Sequence, residues 1–280
     1  MSRIQSEPKT ADRTYRLAFI GAGKLAGSVI RGLLRANFCL PAEIIASEPN
    51  GPLRTALQEA GIVVTTDNRE AARAGDTILI GVKPAVVLDV VREIAAITEN
   101  KLVISLAAGV RVAAMESLSP ARLLRAMTNT PTAIRRGATA VARGARTTTD
   151  DLLLAKTIFD AVGLTVEVDE EQIDAVTALS GSGPAFVYTV IEALANGGVA
   201  TGLPAPVANL LAAQTVLGAA QLSVETGKSP EELRQMVVTP GGTTAAGLAA
   251  MEQLRTSQGL VAAVQAAAAR GQEMAREFAK

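Results

Sequence analysis

The chain has 280 residues but no histidine and no tryptophan, with one cysteine, two tyrosines and five phenylalanines. Without histidine there can be no Ser-His-Asp triad and no imidazole general base, and most catalytic zinc sites are excluded. For the same reason Cys39 cannot be the nucleophile of a Cys–His pair. A lone cysteine closes no internal disulfide, which agrees with a reducing compartment. Cys39 lies in Asn37-Phe38-Cys39-Leu40, which reads as a packed turn. An excess of one charge is also missing. Lys+Arg and Asp+Glu number 27 each, so nothing favours nucleic acid or a membrane surface as a partner. No apolar run reaches the ~18–20 residues of a membrane span. Residues 1–14 are polar and lack the apolar stretch of a secretory signal. These absences predict a cytoplasmic protein with a short disordered tail over 1–14. Its chemistry must rest on a cofactor plus hydroxyls, carboxylates, lysines and backbone N–H groups, with no metal.

Hydrophobic residues make up 49% of the chain, ample for a core, and the length suits two domains. The first begins with a short buried strand, Arg16-Leu17-Ala18-Phe19-Ile20, followed at once by Gly21-Ala22-Gly23-Lys24-Leu25-Ala26. A helical pattern then runs from Leu25 to about Ala36, with Val29, Ile30, Leu33 and Leu34 on its apolar face. This is Gly-x-Gly-x-x-Ala between a strand and a helix. Gly21 makes the tight turn, Gly23 lets a pyrophosphate approach the backbone, and small Ala26 lets helix pack on strand. A second strand ends in Ser47-Glu48, where the residue that meets the adenosine ribose belongs. A carboxylate there bonds ribose hydroxyls and repels a 2′-phosphate, which leans towards NADH without excluding NADPH. Further strands at 62–65, 76–82 and 102–106, separated by helical stretches, continue a βα rhythm. The last two end in Lys83-Pro84 and Ala107-Ala108-Gly109. Such a rhythm predicts an α/β domain over 15–169: a Rossmann-like, doubly wound parallel sheet with helices on both faces and ligands at the strands' carboxyl ends. Another strand runs from 123 to 127 into Thr128-Asn129-Thr130-Pro131. Added strands follow at 137–142 and 164–168, with a helix at 150–162 between them.

From about Glu170 strand signals stop, and an all-α domain is expected over 170–280. A Gly/Ser-rich stretch, Leu179-Ser180-Gly181-Ser182-Gly183-Pro184-Ala185, precedes a long helix with Pro184 in its first turn. A second helix runs to about Thr226 with Gly227 as its stop, and Ser229-Pro230-Glu231-Glu232 reads as a capping box for a third. Then comes Val238-Thr239-Pro240-Gly241-Gly242-Thr243-Thr244. Pro240 fixes one φ, Gly241-Gly242 opens a path closed to other residues, and Thr243 or Thr244 is expected at the N-cap of the next helix. Free N–H groups and hydroxyls converging there can bind a carboxylate. A Pro-Gly-Gly by itself also serves as an ordinary turn between helices. These helices are rich in Ala and Gly, and faces such as Leu210, Leu211, Val216 and Leu217 are broad for so small a domain. Part of that surface is expected to be buried against another subunit.

Together these residues resemble the pyrroline-5-carboxylate reductase family from Leu17 to about Ala269. The most specific parts are Asp174-Ala175-Val176-Thr177-Ala178-Leu179-Ser180-Gly181-Ser182-Gly183-Pro184-Ala185 and Pro240-Gly241-Gly242-Thr243-Thr244. The resemblance implies NAD(P)H-dependent reduction of L-1-pyrroline-5-carboxylate to L-proline, the last step of proline biosynthesis. It also implies a helical dimerisation domain, a homodimer and, in many members, a decamer. By the resemblance, Ala22, Lys24, Leu25, Glu48, Asn68, Val82, Lys83 and Ala108 contact the cofactor, beside Gly21, Gly23, Ser47, Pro84 and Ala107 from the loops above. Glu170, Thr243 and Thr244 fall on substrate contacts; Ser180, Ser182 and Gly242 would shape the same pocket, and Thr244 is the candidate for chemistry at the imine nitrogen. Glu48 stands where a serine is common in the family, which bears on the choice of dinucleotide. Two alternatives stay open. One is a reductase of another cyclic imine or a 3-hydroxy acid, although no acid-supplying lysine or histidine lies in 180–184. The other is a non-catalytic dinucleotide-binding regulator, which would have no need of a carboxylate pocket.

Overall fold

The computed structural model describes residues 14–278. The tail expected over 1–14 lies, apart from Thr14, outside the described residues. The chain divides into two compact units. One takes in the chain up to Ser182 together with the stretch from Ala267 onward, and the other is Gly183–Ala266.

The first unit is built on eight strands: β1 (Tyr15–Ile20), β2 (Ile44–Ser47), β3 (Val63–Thr65), β4 (Gly75–Ile80), β5 (Leu102–Ser105), β6 (Arg122–Met127), β7 (Gly137–Arg143) and β8 (Gly163–Glu167). Their order in the sheet is β3-β2-β1-β4-β5-β6-β7-β8. The strands from β3 across to β6 pair in parallel. β7 runs antiparallel to β6, and β8 pairs parallel to β7. The α/β expectation therefore holds, with boundaries moved by a residue or two, as fraying ends allow.

Six helices flank these strands: α1 (Lys24–Arg35), α2 (Gly51–Glu59), α3 (Asn68–Ala74), α4 (Val87–Ile94), α5 (Val112–Glu116) and α6 (Thr149–Asp160). Alternation along a strand sends successive side chains to opposite faces. Leu17 and Phe19 of β1 thus join Val29, Ile30 and Leu33 of α1 and Ile158 and Phe159 of α6 in one core. Ala18 and Ile20 join Ala71 of α3, Val90, Val91 and Ile94 of α4 and Met115 of α5 in the other. Lys101 ties the second layer to the sheet by donating to the α3 end carbonyls of Ala72, Arg73 and Gly75 at 2.7–2.9 Å. Burial lowers its pKa, offset by Asp76, with Arg73 lowering it further. Burial first, with Glu43 adding to it against the pull of Arg16, raises the thiol of Cys39, a packed turn residue as expected.

After β8 the chain turns helical at α7 (Ile173–Val176) and widens into a π turn at Thr177–Gly181. The helical unit then holds α8 (Gly183–Ala200), α9 (Ala205–Thr226), α10 (Pro230–Val237), α11 (Thr243–Gln253) and the first part of α12 (Thr256–Phe278). Gly227 ends α9 at φ +65°, as its permissive backbone suggests. The capping box also forms: Ser229 Oγ accepts from Glu232 N–H at 3.2 Å, and Glu232 accepts from Ser229 N–H at 2.8 Å. α8 and α9 pack through Ala195, Ala208 and Ala212 with Ile191 against them. One expectation needs amending. α9 is long and apolar enough to cross a membrane by length and composition, with mean hydropathy 1.4. The continuous-run reading missed it because Asn209, Gln214 and Gln221 interrupt an otherwise Ala/Leu-rich helix.

Candidate active site

The sheet grows in one direction from β1 to β3 and in the other from β4 to β6, so the carboxyl ends of β1 and β4 flank a crevice. Backbone bonds carry the sheet past its formal ends: Gly81 N–H donates to Ile20 O at 2.8 Å and Leu106 N–H to Ile80 O at 2.9 Å. The glycine loop sits here. Gly21 has φ +80°, and a Cβ on it would lie 2.8 Å from Val82 Cγ1, so only glycine suits the turn. Gly23 is the extended N-cap of α1, and a Cβ there would meet nothing within 4 Å. That open space beside the first amides of α1 is what a pyrophosphate requires. Ala26 is fully buried, and a Cβ on Gly81 would come within 2.5 Å of its own Cβ. The small-residue contact expected at Ala26 thus depends equally on Gly81.

Glu48 is buried, and both of its carboxylate oxygens are engaged. Oε2 accepts from Ala22 N–H at 2.8 Å and Oε1 from Asn50 N–H at 2.9 Å. The residue placed for the ribose therefore also braces the glycine loop, and each oxygen retains a further lone pair. Ser47 Oγ donates to Asn68 Oδ1 at 2.8 Å, and Asn68 Nδ2 donates to Glu93 at 2.8 Å. This chain fixes Asn68 at the start of α3. Lys24 and Lys83 are exposed.

A cavity of about 400 Å³ opens at the strand ends. It gathers Leu25, Val82, Pro84, Ala107, Ala108 and Ser182 from the expected residues, and adds Met127, Thr128, Asn129, Thr130 and Thr177, which sequence reasoning did not single out. The signal for these was available. Met127 ends β6 and Thr128, Asn129 and Thr130 follow it, at the carboxyl end of a parallel strand that must face the same crevice, while Thr177 comes from the π turn after α7. Ser180 is not on the cavity wall, and its hydroxyl turns back to Val176 O at 3.0 Å. Glu170 is not on the wall either. Its Oε1 accepts from Arg125 Nη1 at 2.8 Å and from Val112 N–H at 3.0 Å. Arg125 is only 1% exposed, so its charge needs that partner. Beside this pair Arg111 donates to Asp174 at 2.7 Å. The first pair fastens the 170–174 stretch to β6 and the second to the residue that caps α5.

On the helical unit the expected cap differs. Gly242, not Thr243 or Thr244, is the N-cap of α11, with no side-chain cap bond. Gly241 takes φ +70°, and a Cβ on Gly242 would fall 2.3 Å from Thr239 Oγ1, so both glycines are required. Thr243 and Thr244 thereby become the first two helical residues. Their amides lie among those that an α-helix leaves unpaired at its start.

Residues 170–274 match the model of pyrroline-5-carboxylate reductase dimerisation, and 16–109 that of NADP oxidoreductase, coenzyme F420-dependent. The pyrroline-5-carboxylate reductase of Synechocystis sp. is 43% identical over 94% of this chain and 100% of its own length. Pyrroline-5-carboxylate reductase from Coxiella burnetii superposes with TM-score 0.85 at 36% identity, over 94% of this chain and 99% of that one. The Plasmodium falciparum pyrroline carboxylate reductase with NADP bound does so with TM-score 0.85 at 28% identity, over 93% and 98%. With such similarity over nearly the whole of both chains, the chain belongs to the pyrroline-5-carboxylate reductase family.

Proposed function

We propose that this protein reduces L-1-pyrroline-5-carboxylate to L-proline with NADH or NADPH. The observation that carries the reading is the 400 Å³ cavity at the carboxyl ends of β4, β5 and β6, adjoining the glycine loop in a chain of this family. Gly21, Ala22, Gly23, Lys24 and Leu25 would hold the pyrophosphate. Ser47, Glu48 and Asn68 would hold the adenosine ribose, and Val82, Lys83, Pro84, Ala107 and Ala108 the nicotinamide end. When bound, the reduced nicotinamide supplies a hydride to the ring carbon of the C=N bond. The protein's own residues orient the reactants and exclude water.

A chain without histidine suits this chemistry, because a cyclic imine that arrives protonated needs no group of pKa near seven. The substrate carboxylate fits the unpaired amides from Gly242 to Thr244, while the Thr244 hydroxyl bonds the ring nitrogen as it loses positive charge. Ser182 belongs to the cavity wall at the nicotinamide end. Glu170 acts by holding its segment to Arg125. The helical unit pairs with a second copy as a homodimer, and dimers assemble further into a decamer. The exposed face of α9 is covered by protein and not by lipid, and the protein works in the cytoplasm without nucleic acid. A turnover assay with pyrroline-5-carboxylate and each dinucleotide tests the reading. Loss of NAD(P)H absorbance without proline formation overturns it.

A further inference from the structure

The helical run that begins at Ile173 is interrupted by a single wide turn, closed by Ser182 N–H donating to Thr177 O at 2.8 Å. Two residues on stands Pro184, which has no N–H. Ser180 O, four residues earlier, is therefore left without its helical donor. Ser180 is half-buried, and a carbonyl so stranded is left to whatever donor reaches it. Asn129 Nδ2 does so, at 3.0 Å, from the end of β6. Both ends of the Asn129 side chain are engaged, because its Oδ1 accepts from Ala138 N–H of β7 at 3.1 Å. Its backbone carbonyl accepts from Thr132 N–H at 3.2 Å and Thr132 Oγ1 at 2.9 Å. Only 7% of the residue is exposed. Contact along the same seam is close: a Cβ on Gly181 would lie 3.4 Å from Met127 Sδ. Asn129, Thr177, Gly181 and Ser182 all line the one cavity.

We propose that Asn129 is a positioning residue for the reaction: its amide ties the π turn at 177–181 to the sheet and so sets the Ser182 wall of the cavity. The inference rests on the reductase reading. Hydride transfer demands reacting atoms held to within a fraction of an ångström, and a wall free to shift by ~1 Å can cost on the order of 10²-fold in rate. A purely structural role would differ. It would require only that Ser180 O find some donor, and Pro184→Ala supplies one from the helix itself.

The test is a cycle of Asn129→Ala, Pro184→Ala and the double variant, with Asn129→Asp beside them. Asn129→Asp keeps the acceptor for Ala138 N–H but replaces the donor with a carboxylate oxygen that faces Ser180 O, so the tie is lost and reversed to repulsion. The readouts are kcat, KM, dinucleotide Kd, Tm, and hydrogen exchange of the Ser182 amide. The expectation for Asn129→Asp and Asn129→Ala is a kcat loss on the order of 10²-fold, with dinucleotide Kd within about threefold of the wild type. Exchange at Ser182 should be faster. In the Pro184→Ala background the Tm effect of Asn129→Ala should shrink, while its kcat effect persists. A kcat effect that vanishes together with the Tm effect overturns the proposal, as does an Asn129→Asp enzyme within about threefold of wild type. Should Asn129→Ala not fold, Asn129→Asp carries the same comparison. If the wild type fails to reduce pyrroline-5-carboxylate, the reductase reading falls. Exchange at the Ser182 amide then decides the tie alone, and unchanged protection in Asn129→Asp overturns it.

Discussion

The sheet unit and the helical unit spend similar hydrophobic side chains in opposite ways. In the sheet unit Val29, Ile30 and Leu33 of α1 are at most 2% exposed, sealed between helix and sheet. In the helical unit the only buried residues between Gly183 and Ala266 are Ala195, Ala208 and Ala212. Leu210 is 74% exposed and Val224 84%. One set of apolar residues makes a core; the other makes a surface that a single chain leaves open. Faces of that size mark interaction sites, and a second copy of the same helices satisfies them by symmetry. The lesson is that apolar content in the C-terminal half encodes association, whereas in the N-terminal half it encodes folding.

The largest expected effect tests that difference directly. Leu210→Glu with Leu217→Glu should leave a folded but monomeric chain with activity reduced at least ~100-fold, because each buried carboxylate costs several kcal/mol. On a free surface the same changes would stay within about 0.5 kcal/mol each. Light scattering and turnover decide between the two, and an unchanged oligomer breaks the comparison.

Thr244→Ala keeps the amide and removes the hydroxyl, so kcat should fall ~10–10³-fold, by more than KM rises. Thr244→Ser should retain most activity, and Thr243→Ala should be milder. A folded, dimeric Thr244→Ala enzyme near wild type in kcat would confine the turn to carboxylate binding. Within the sheet unit, Gly81→Val drives a side chain into Ala26 and should cost about 1–3 kcal/mol in urea denaturation and weaken the dinucleotide with it.

Two smaller effects sharpen the account of the sheet unit. If Glu48 meets the ribose as proposed, kcat/KM for NADPH should exceed that for NADH by no more than about tenfold, some 1.4 kcal/mol. A larger preference would mean that the carboxylate serves only the glycine loop. Burial alone would raise the Asp151 carboxyl, but hydrogen bonds from Arg122 and Thr148 hold it below its ordinary 3.8. Its folded pKa being depressed, its contribution is present above the unfolded value and is lost as pH falls through the folded one. Asp151→Asn should therefore cost about 1 kcal/mol near neutral pH, with the deficit closing in acid. A deficit independent of pH in thermal melts would remove the carboxylate from the account.

Much of the sheet unit was legible because its signals are local. The strand, the Gly-x-Gly-x-x-Ala turn and the amphipathic helix follow one another within about twenty residues, and each is dictated by its own sterics and periodicity. The capping box at Ser229 and the stop at Gly227 were local in the same sense. The Thr243 cap failed because the choice between Gly242 and its neighbours turns on where Thr239 places its hydroxyl and carbonyl. Glu170 could be singled out by resemblance, yet its partner Arg125 lies on a strand far back in the chain. Asn129 was passed over as the end of a strand, since nothing near it in sequence shows that Pro184 strands Ser180 O.

By itself the sequence determined the βα rhythm, the dinucleotide loop and the family. It also excluded any chemistry that needs an imidazole, because each of these follows from residue types and short spacings. Only the tertiary structure decided which side chains meet. It placed Asn129 on Ser180, Glu170 on Arg125 and Glu48 on Ala22, and it left the α9 leucines uncovered. Those outcomes depend on strand order and on the area each helix buries, and they arise when segments distant in sequence compete to satisfy the same polar groups and cover the same apolar faces.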